Sequence, residues 1–278
     1  MPRPAATARP CADRATHAAP HATGVVRRCT GRALHLAGGL LLACTGAFGA
    51  SPQWESPAIS HKDVQPYADA RMLYTGVLPP PPAPDSAADR DDVAALMARQ
   101  QASPERRAEA EADGQWLYDR FAPALGVAAL RRDTLPAVVQ LLNRALKQAG
   151  VPTFAAKAAY PRARPYQRLA GIHVCGKPDP DGLSRTSYPS GHAAYGWAVA
   201  LVLARVAPER APALLARAVQ YADSRLVCGM HFPSDIEAGR QLATAVVGEL
   251  GGLAEFQRDV ERARAELTAH RRQAAPNG

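Results

Sequence analysis

The sequence predicts an all-α fold, a single compact helical bundle, and three observations point to it. Apolar residues make up 47% of the chain and aromatic residues only 6%, with alanine abundant. Alanine is the best helix former, whereas strands favour aromatic and β-branched residues. Helix-start signals recur along the chain, and no convincing series of alternating strands and no internal repeat accompanies them.

Two helices are predicted in the first part of the bundle. Asp85 or Ser86 can cap the first, because short polar side chains accept hydrogen bonds from the free N–H groups at a helix start. Ser103 is a second such cap, and Pro104 after it has the backbone angle of a first helical residue. We expect this second helix to run to about Phe121.

A third predicted helix is followed by a long loop. Asp133 and Thr134 open the helix, apolar residues then repeat at helical spacing, and Gly150 is expected to end it. Residues 161–189 are rich in Pro, Gly, Asp and Arg and indicate a loop. Loops of this length without secondary structure are usually functional or disordered.

The C-terminal part returns to helical patterns. A strongly apolar helix is predicted over 190–206, and two further helices over about 209–227 and 233–250. An amphipathic helix is expected over 253–270. Together with the preceding helices they predict one all-α domain.

We divide the chain into four segments. Residues 1–50 are an N-terminal extension with a signal peptide, and 51–85 are irregular and proline-rich. Residues 86–272 are the all-α domain, and 273–278 a disordered tail. The proline run at 79–84 should be extended and stiff and should pack against the domain.

The first fifty residues have the pattern of an export signal. Arg27 and Arg28 belong to a basic region that precedes an apolar stretch, 33–47, and small residues suited to cleavage. We therefore expect a periplasmic or secreted protein. The residues from Leu41 to Cys44 also resemble a lipobox, so a lipid anchor at Cys44 stays open as an alternative.

The cysteine count agrees with export. Five cysteines are present, and removal of the signal peptide leaves Cys175 and Cys228. In an oxidising compartment two cysteines indicate one disulfide, the alternative being two buried free thiols.

The net charge of +8 would suit a nucleic-acid ligand, but its location argues against one. Residues 1–50 hold six arginines and one acid, which leaves a net charge of only +3 for the rest of the chain. No RNA- or DNA-binding motif is present. We expect no nucleic-acid partner, and no membrane contact beyond the possible anchor.

Separated segments carry residues suited to binding a phosphate group. Lys157, Arg164 and Arg225 can supply cationic donors, and an arginine can bind two oxygens at once. Ser190 and Gly191 lie where a loop meets an apolar helix, and the N–H groups of a helix N-terminus bind anions. Gly191 also lets the backbone approach closely, because it has no Cβ.

Two histidines and an aspartate suit catalysis on such a group. Asp235 can accept the proton on one ring nitrogen of His231, which leaves the other nitrogen to attack phosphorus. His192 could then protonate the departing alkoxide and later activate water. Fixed cations and N–H groups would stabilise the transition-state charge, so we expect no metal and no other cofactor.

The order of these motifs resembles the phosphatidic-acid-phosphatase-type superfamily. Lys-x6-Arg-Pro starts at Lys157, Pro-Ser-Gly-His ends at His192, and Ser-Arg-x5-His-x3-Asp ends at Asp235. The longer strings at 187–192 and 224–231 are similar to bacterial class A nonspecific acid phosphatases. That resemblance implies a compact all-α phosphomonoesterase active at acidic pH, often with phosphate transfer to alcohols, and it assigns all eight site residues the roles given above.

The resemblance also implies partners. Nucleotides, sugar phosphates and aryl phosphates are expected as phosphomonoester substrates, with alcohols as acceptors, and we expect a homo-oligomer. Ala193 replaces the hydroxyl residue that commonly follows the signature histidine, and the loop between Cys175 and Ser187 is short. These departures concern loop geometry and substrate preference.

Three alternatives remain. A lipid phosphatase of the same superfamily usually has several membrane spans, whereas the apolar stretch 193–207 is too short to span. A vanadate-dependent haloperoxidase would share the pocket, because vanadate resembles phosphate, but such chains are usually much longer. A non-catalytic periplasmic phosphate binder would leave His231 and Asp235 without a role.

Overall fold

The computed structural model of the chain describes residues 64–68, 76–115, 118–176 and 186–274. Secondary structure in these residues is helical, with no strand, which confirms the predicted all-α fold. None of the helices among them is long and apolar enough to cross a membrane. The predicted signal peptide within 1–50, and with it Cys44, lies outside the described residues.

Nine α-helices form the bundle within that part of the chain. They are α1 (Ala87–Arg99), α2 (Pro104–Ala112), α3 (Ala122–Leu125), α4 (Pro136–Ala159), α5 (Pro165–Arg168), α6 (Gly191–Val206), α7 (Ala211–Val227), α8 (Pro233–Leu250) and α9 (Ala254–Ala274). The central helix is α6, which packs against α7 and α8 and also against α4 and α9. It is apolar on most of its surface, as expected of a helix buried among others.

Two predicted caps and the predicted start of the apolar helix at residue 190 are confirmed. Ser86, Ser103 and Ser190 are the N-cap residues of α1, α2 and α6, and each hydroxyl accepts a backbone N–H three residues later. The first residue of α8 is Pro233, as the sequence predicts. Local start chemistry therefore fixes where α1, α2 and α6 begin. The predicted start of α4 at Asp133 and Thr134 is wrong, because that helix begins at Pro136 after Leu135, which makes no side-chain cap.

The predicted extension of α2 to Phe121 is wrong, because the helix ends at Ala112. The next residue, Asp113, is fully buried and paired with Arg120 and Arg217. A Cβ on Gly114 would lie 2.9 Å from the Glu111 carbonyl oxygen, and the chain turns away there. These ion pairs between distant residues stabilise a break that the local pattern does not indicate. A 3-10 turn covers Tyr118–Phe121.

The predicted end of α4 at Gly150 is also wrong, because the helix continues through Pro152 to Ala159. A Cβ on Gly150 would lie 2.8 Å from the hydroxyl of Tyr195, so this glycine serves a close contact between α4 and α6. The helix ends just before Pro161, where the residue preceding a proline disfavours helical angles. This longer α4 is what brings Lys157 to the site.

The loops carry the remaining predictions. The predicted loop 161–189 contains the short helix α5, and its residues 177–185 lie outside the described residues. The predicted disulfide between Cys175 and Cys228 is present and ties this loop to the end of α7.

Two predictions concern the ends of the domain, the proline run and the C-terminal tail. Tyr188 on the loop before α6 donates a hydrogen bond to the Pro79 carbonyl over 2.6 Å, which joins the start of the proline run to the domain. The rest of the run is exposed or half-buried, so the predicted packing holds only in part. Helix α9 extends to Ala274, into the segment 273–278 that was predicted to be a disordered tail.

Candidate active site

Three loops meet at the N-terminal ends of α6 and α8. The backbone N–H of Ser187 donates to the Arg162 carbonyl over 2.7 Å, which joins the loop before α6 to the loop after α4. The N–H of Ser190 donates to the carbonyl of Asp235 over 2.8 Å, which joins α6 to α8. All the predicted site residues lie on these loops or on the helix ends beside them.

His231 lies at the centre of this junction and is 3% exposed. Its Nδ1 is 3.6 Å from Oδ2 of Asp235 and 3.4 Å from the hydroxyl of Ser187. The Ser187 hydroxyl donates to the same Asp235 oxygen over 2.6 Å. Nδ1 therefore faces a carboxylate and a hydroxyl at once, and this polar side fixes the orientation of the ring.

The other ring nitrogen of His231 faces a cation. Nε2 is 3.1 Å from Nη1 of Arg164, and the same guanidinium nitrogen donates to the Met230 carbonyl over 2.8 Å. Burial and the charge of Arg164 lower the pKa of His231 to about 3, although Asp235 opposes the shift. The imidazole is therefore neutral at mildly acidic pH, as a nitrogen nucleophile must be.

Asp235 is fully buried at the first turn of α8. Burial alone would raise its pKa, but the contact with His231, the charge of Arg162 and the Ser187 hydroxyl lower that pKa to about 2. Its Oδ2 also accepts the N–H of Phe232 over 2.7 Å. Asp235 is thus held as a carboxylate, which can stabilise positive charge that develops on His231.

His192 lies in the first turn of α6. Its Nε2 is 3.0 Å from the Gly114 carbonyl oxygen, and its ring stacks on Tyr221 with centroids 5.9 Å apart. Burial, followed by the charge of Arg225, lowers the pKa of His192 far below its usual value. Burial and the nearby cations therefore favour the neutral imidazole of His192.

Lys157 and Arg164 contribute charge from the loop side. The ammonium of Lys157 donates to the Thr186 carbonyl over 2.8 Å and lies 3.5 Å from the Ser187 carbonyl. Burial and the nearby charge of Arg164 lower the pKa of Lys157 to about 7. The two cations repel each other, and a bound anion would relieve that repulsion.

Arg225 contributes charge from the end of α7 and is 4% exposed. Its Nη2 donates to the Ala110 carbonyl over 2.5 Å and contacts the sulfur of Cys228 at 3.5 Å. The disulfide and the end of α2 therefore hold this guanidinium in place.

Ser190 caps α6 and Gly191 begins it, and the N-terminus of a helix favours a bound anion. The backbone of α8 approaches them closely at Gly239, since a Cβ there would lie 2.4 Å from the Ser190 carbonyl oxygen. This glycine lets α8 pack against the first turn of α6. The eight predicted residues thus lie in one cationic region, while their catalytic roles stay predictions.

The sequence analysis missed four groups around this site. They are the guanidinium of Arg162, the hydroxyl of Ser187, the carboxylate of Asp92 and the carbonyl of Gly114. Arg162 lies two residues before Arg164 in an extended segment, a spacing that puts both side chains on one face and could have drawn attention to it. Nothing local indicates the other three.

Chemically, the region combines the N-terminal end of a helix, three basic side chains and two histidines, one of them paired with a carboxylate. That set can bind a phosphoryl group and exchange one bond at phosphorus.

Comparison with known proteins gives consistent results. The model of the PAP2 superfamily matches residues 137–250, a stretch that holds all eight predicted site residues. A non-specific acid phosphatase from Providencia stuartii is 34% identical over 198 residues, 69% of this chain and 79% of that protein. One from Salmonella typhimurium is 34% identical over 217 residues, with 75% and 86% covered. An acid phosphatase from Zymomonas mobilis is 40% identical over 134 residues, 48% of this chain and 50% of that protein.

Proposed function

Because the chain belongs to the PAP2 superfamily and is an acid phosphatase within it, we propose that it hydrolyses phosphomonoesters through a phosphohistidine on His231. One observation carries the proposal. His231 is buried, with Asp235 and Ser187 on its Nδ1 side and Arg164 at its Nε2. A phosphate held by Arg164 would have its phosphorus next to a neutral nitrogen.

Binding comes first. The substrate phosphate takes hydrogen bonds from the N–H groups at the start of α6 and charge from Lys157, Arg164 and Arg225. Its negative charge raises the pKa of His192, whose ring lies among the same cations. A substrate that arrives as the monoanion at acidic pH can supply the proton that His192 takes up.

Transfer to the enzyme follows. The lone pair of His231 Nε2 forms a bond to phosphorus while the bond from phosphorus to the ester oxygen breaks. His192 gives its proton to that oxygen, so the product leaves as a neutral alcohol. The phosphorylated imidazole is positively charged, and Asp235 stabilises it from the Nδ1 side.

Hydrolysis closes the cycle. His192, now neutral, takes a proton from water as the water oxygen attacks phosphorus, and the N–P bond breaks to return the electron pair to His231. An alcohol in place of water would receive the phosphoryl group instead. We therefore include phosphate transfer to alcohols in the proposal.

Export is the second part of the proposal. A disulfide in the folded domain suits an oxidising compartment, and residues 1–50 have the composition of a signal peptide. The homo-oligomer and the lipid anchor at Cys44 stay predictions.

The test compares two histidine variants of the purified mature protein with p-nitrophenyl phosphate. His231→Ala should lower turnover by more than about a thousandfold, the scale expected when a covalent nucleophile is removed. His270→Ala, near the end of α9 and far along the chain from the site residues, should leave turnover unchanged. Near-normal turnover by folded His231→Ala would refute the nucleophile assignment.

A further inference from the structure

We propose that Arg162 is a positioning residue of this reaction, which fixes the carboxylate of Asp235 so that one oxygen faces His231. The inference rests on the proposed function, because the orientation of Asp235 matters for turnover only if His231 is the nucleophile. Nothing in the motif pattern gives Arg162 a role.

The guanidinium of Arg162 is buried, and both of its terminal nitrogens donate hydrogen bonds. The side chain is 6% exposed. Nη1 donates to Oδ1 of Asp235 over 2.7 Å and to the hydroxyl of Ser234 over 2.8 Å. Nη2 donates to Asp89 over 3.1 Å and to Asp92 over 2.8 Å. The planar group thus joins three carboxylates in one fixed geometry, which a lysine could not reproduce.

The two oxygens of Asp235 have different partners. Oδ1 accepts from Arg162, whereas Oδ2 accepts from Ser187 and the N–H of Phe232 and faces His231. The terminal torsion of an aspartate has broad wells, so contacts and not intrinsic torsion must hold the carboxylate plane. Loss of the Oδ1 partner would free this plane to turn.

Helix α1 holds Arg162 and the start of α8 together. The N-cap residue of α8, Phe232, has no side-chain oxygen, so the first turn lacks the usual local cap. Oδ1 of Asp92 accepts the Ser234 N–H over 2.9 Å and supplies that cap from α1. The Arg162 guanidinium stacks on the Phe232 ring, 4.3 Å from its centroid. Asp235 directly follows Ser234 and is oriented by this assembly.

Charge adds a second consequence. The groups that contact Asp235 or act on its charge come from several elements: Lys157 of α4, Arg162 and Arg164 of the loop after α4, Ser187 and Tyr188 before α6, and His231 before α8. Asp89 and Asp92 of α1 are joined to it through Arg162. Without Arg162, Asp235 would lie near two other carboxylates with no guanidinium between them. Like charges that share a site raise the pKa of a carboxyl.

The experiment compares Arg162→Met with a matched control, Arg168→Met. Arg168 pairs with Asp89 and stacks on the same Phe232 ring at 5.0 Å, and its bonds run to Asp89 and not to Asp235. The readouts are kcat as a function of pH with p-nitrophenyl phosphate and the inhibition constant of inorganic phosphate.

Arg162→Met should lower kcat by about 10- to 100-fold, as expected when the partner of a reacting group is removed. The acid limb of its kcat–pH profile should move up by about one pH unit or more, because the pKa of Asp235 rises. The inhibition constant of phosphate should stay within about threefold of wild type, because Arg162 lies outside the cationic set that binds the phosphoryl group. Arg168→Met should keep the wild-type kcat and acid limb.

Two results would overturn the role of Arg162. One is a folded Arg162→Met enzyme with wild-type kcat and acid limb, and the other is an equal loss in both variants with no movement of the limb. If Arg162→Met does not fold, Arg162→Lys is used instead, because it keeps the charge without the planar guanidinium. This variant should lose kcat several-fold while the inhibition constant of phosphate stays unchanged. A wild-type kcat in Arg162→Lys would also overturn the role of Arg162. A wild-type protein without phosphatase activity would instead refute the proposed function.

Discussion

Lys157 gives a prediction whose size follows from its surroundings. The change is Lys157→Met, which keeps a long unbranched side chain and removes the charge. A hydrogen bond that involves a charged group contributes about 1.5–3 kcal/mol, which corresponds to a loss in kcat/KM of about 10- to 150-fold when Lys157 is charged. Burial and Arg164 bring the pKa of Lys157 to about 7, so the loss must depend on pH.

The dependence has a definite sign. With a pKa of about 7, about 99% of Lys157 is protonated at pH 5 but only about 9% at pH 8. The ratio of wild-type to variant kcat/KM should therefore be largest at pH 5 and fall to about a tenth of that value at pH 8. Substrate ionisation affects both enzymes equally and cancels in the ratio.

The assay is the initial rate of p-nitrophenyl phosphate hydrolysis between pH 4 and pH 9 at low substrate concentration. Lys147→Met is the matched control, because Lys147 lies on the same helix and donates to the Val64 carbonyl. It should retain wild-type kcat/KM throughout. A Lys157→Met enzyme with wild-type kcat/KM at pH 5, or a ratio that does not change with pH, would refute the role assigned to Lys157.

Three further predictions concern support of the site. Gly239→Ala should destabilise the fold by about 1–3 kcal/mol in denaturant unfolding and raise KM, because the new Cβ would press on the Ser190 carbonyl at the start of α6. Gly248→Ala is the control, because the space around its Cβ is open, and it should change neither stability nor KM. Equal behaviour of the two variants would contradict the close packing at Gly239. Reduction of Cys175–Cys228, 53 residues apart, should cost about 4 kcal/mol and lower Tm by on the order of 10 °C, and an unchanged Tm would show that the disulfide does not stabilise the protein. Activity should survive exhaustive EDTA treatment, because cations and histidines of the chain supply the charge, and a loss restored by added metal would contradict the mechanism.

Local chemistry explains what the sequence could predict. Ser86, Ser103 and Ser190 each cap a helix with their own hydroxyl, so the start of each helix is determined within four residues. The apolar pattern of α6 likewise predicts a buried central helix. These features need no information from distant parts of the chain.

Long-range contacts explain what the sequence could not predict. Gly150 looks like a helix end, and only its contact with Tyr195 on another helix shows why α4 continues. The break after Ala112 depends on arginines that pair with Asp113 from positions 120 and 217.

The surroundings of the site show the same limit. Motif spacing predicts the eight site residues together, but Asp92 reaches Ser234 across 142 positions and Arg162 reaches Asp235 across 73. Neither pairing leaves a periodic signal in the sequence. Supporting groups of this kind become visible only when the fold brings their segments together.

The most direct test of the mechanism is a rapid-quench experiment with a phosphomonoester labelled in its phosphoryl group. Within the first turnover the wild-type enzyme should carry label that is stable to alkali, labile to acid and located on the peptide that contains His231. Label on a different residue, or steady turnover with no labelled protein at any time, would contradict attack by this imidazole.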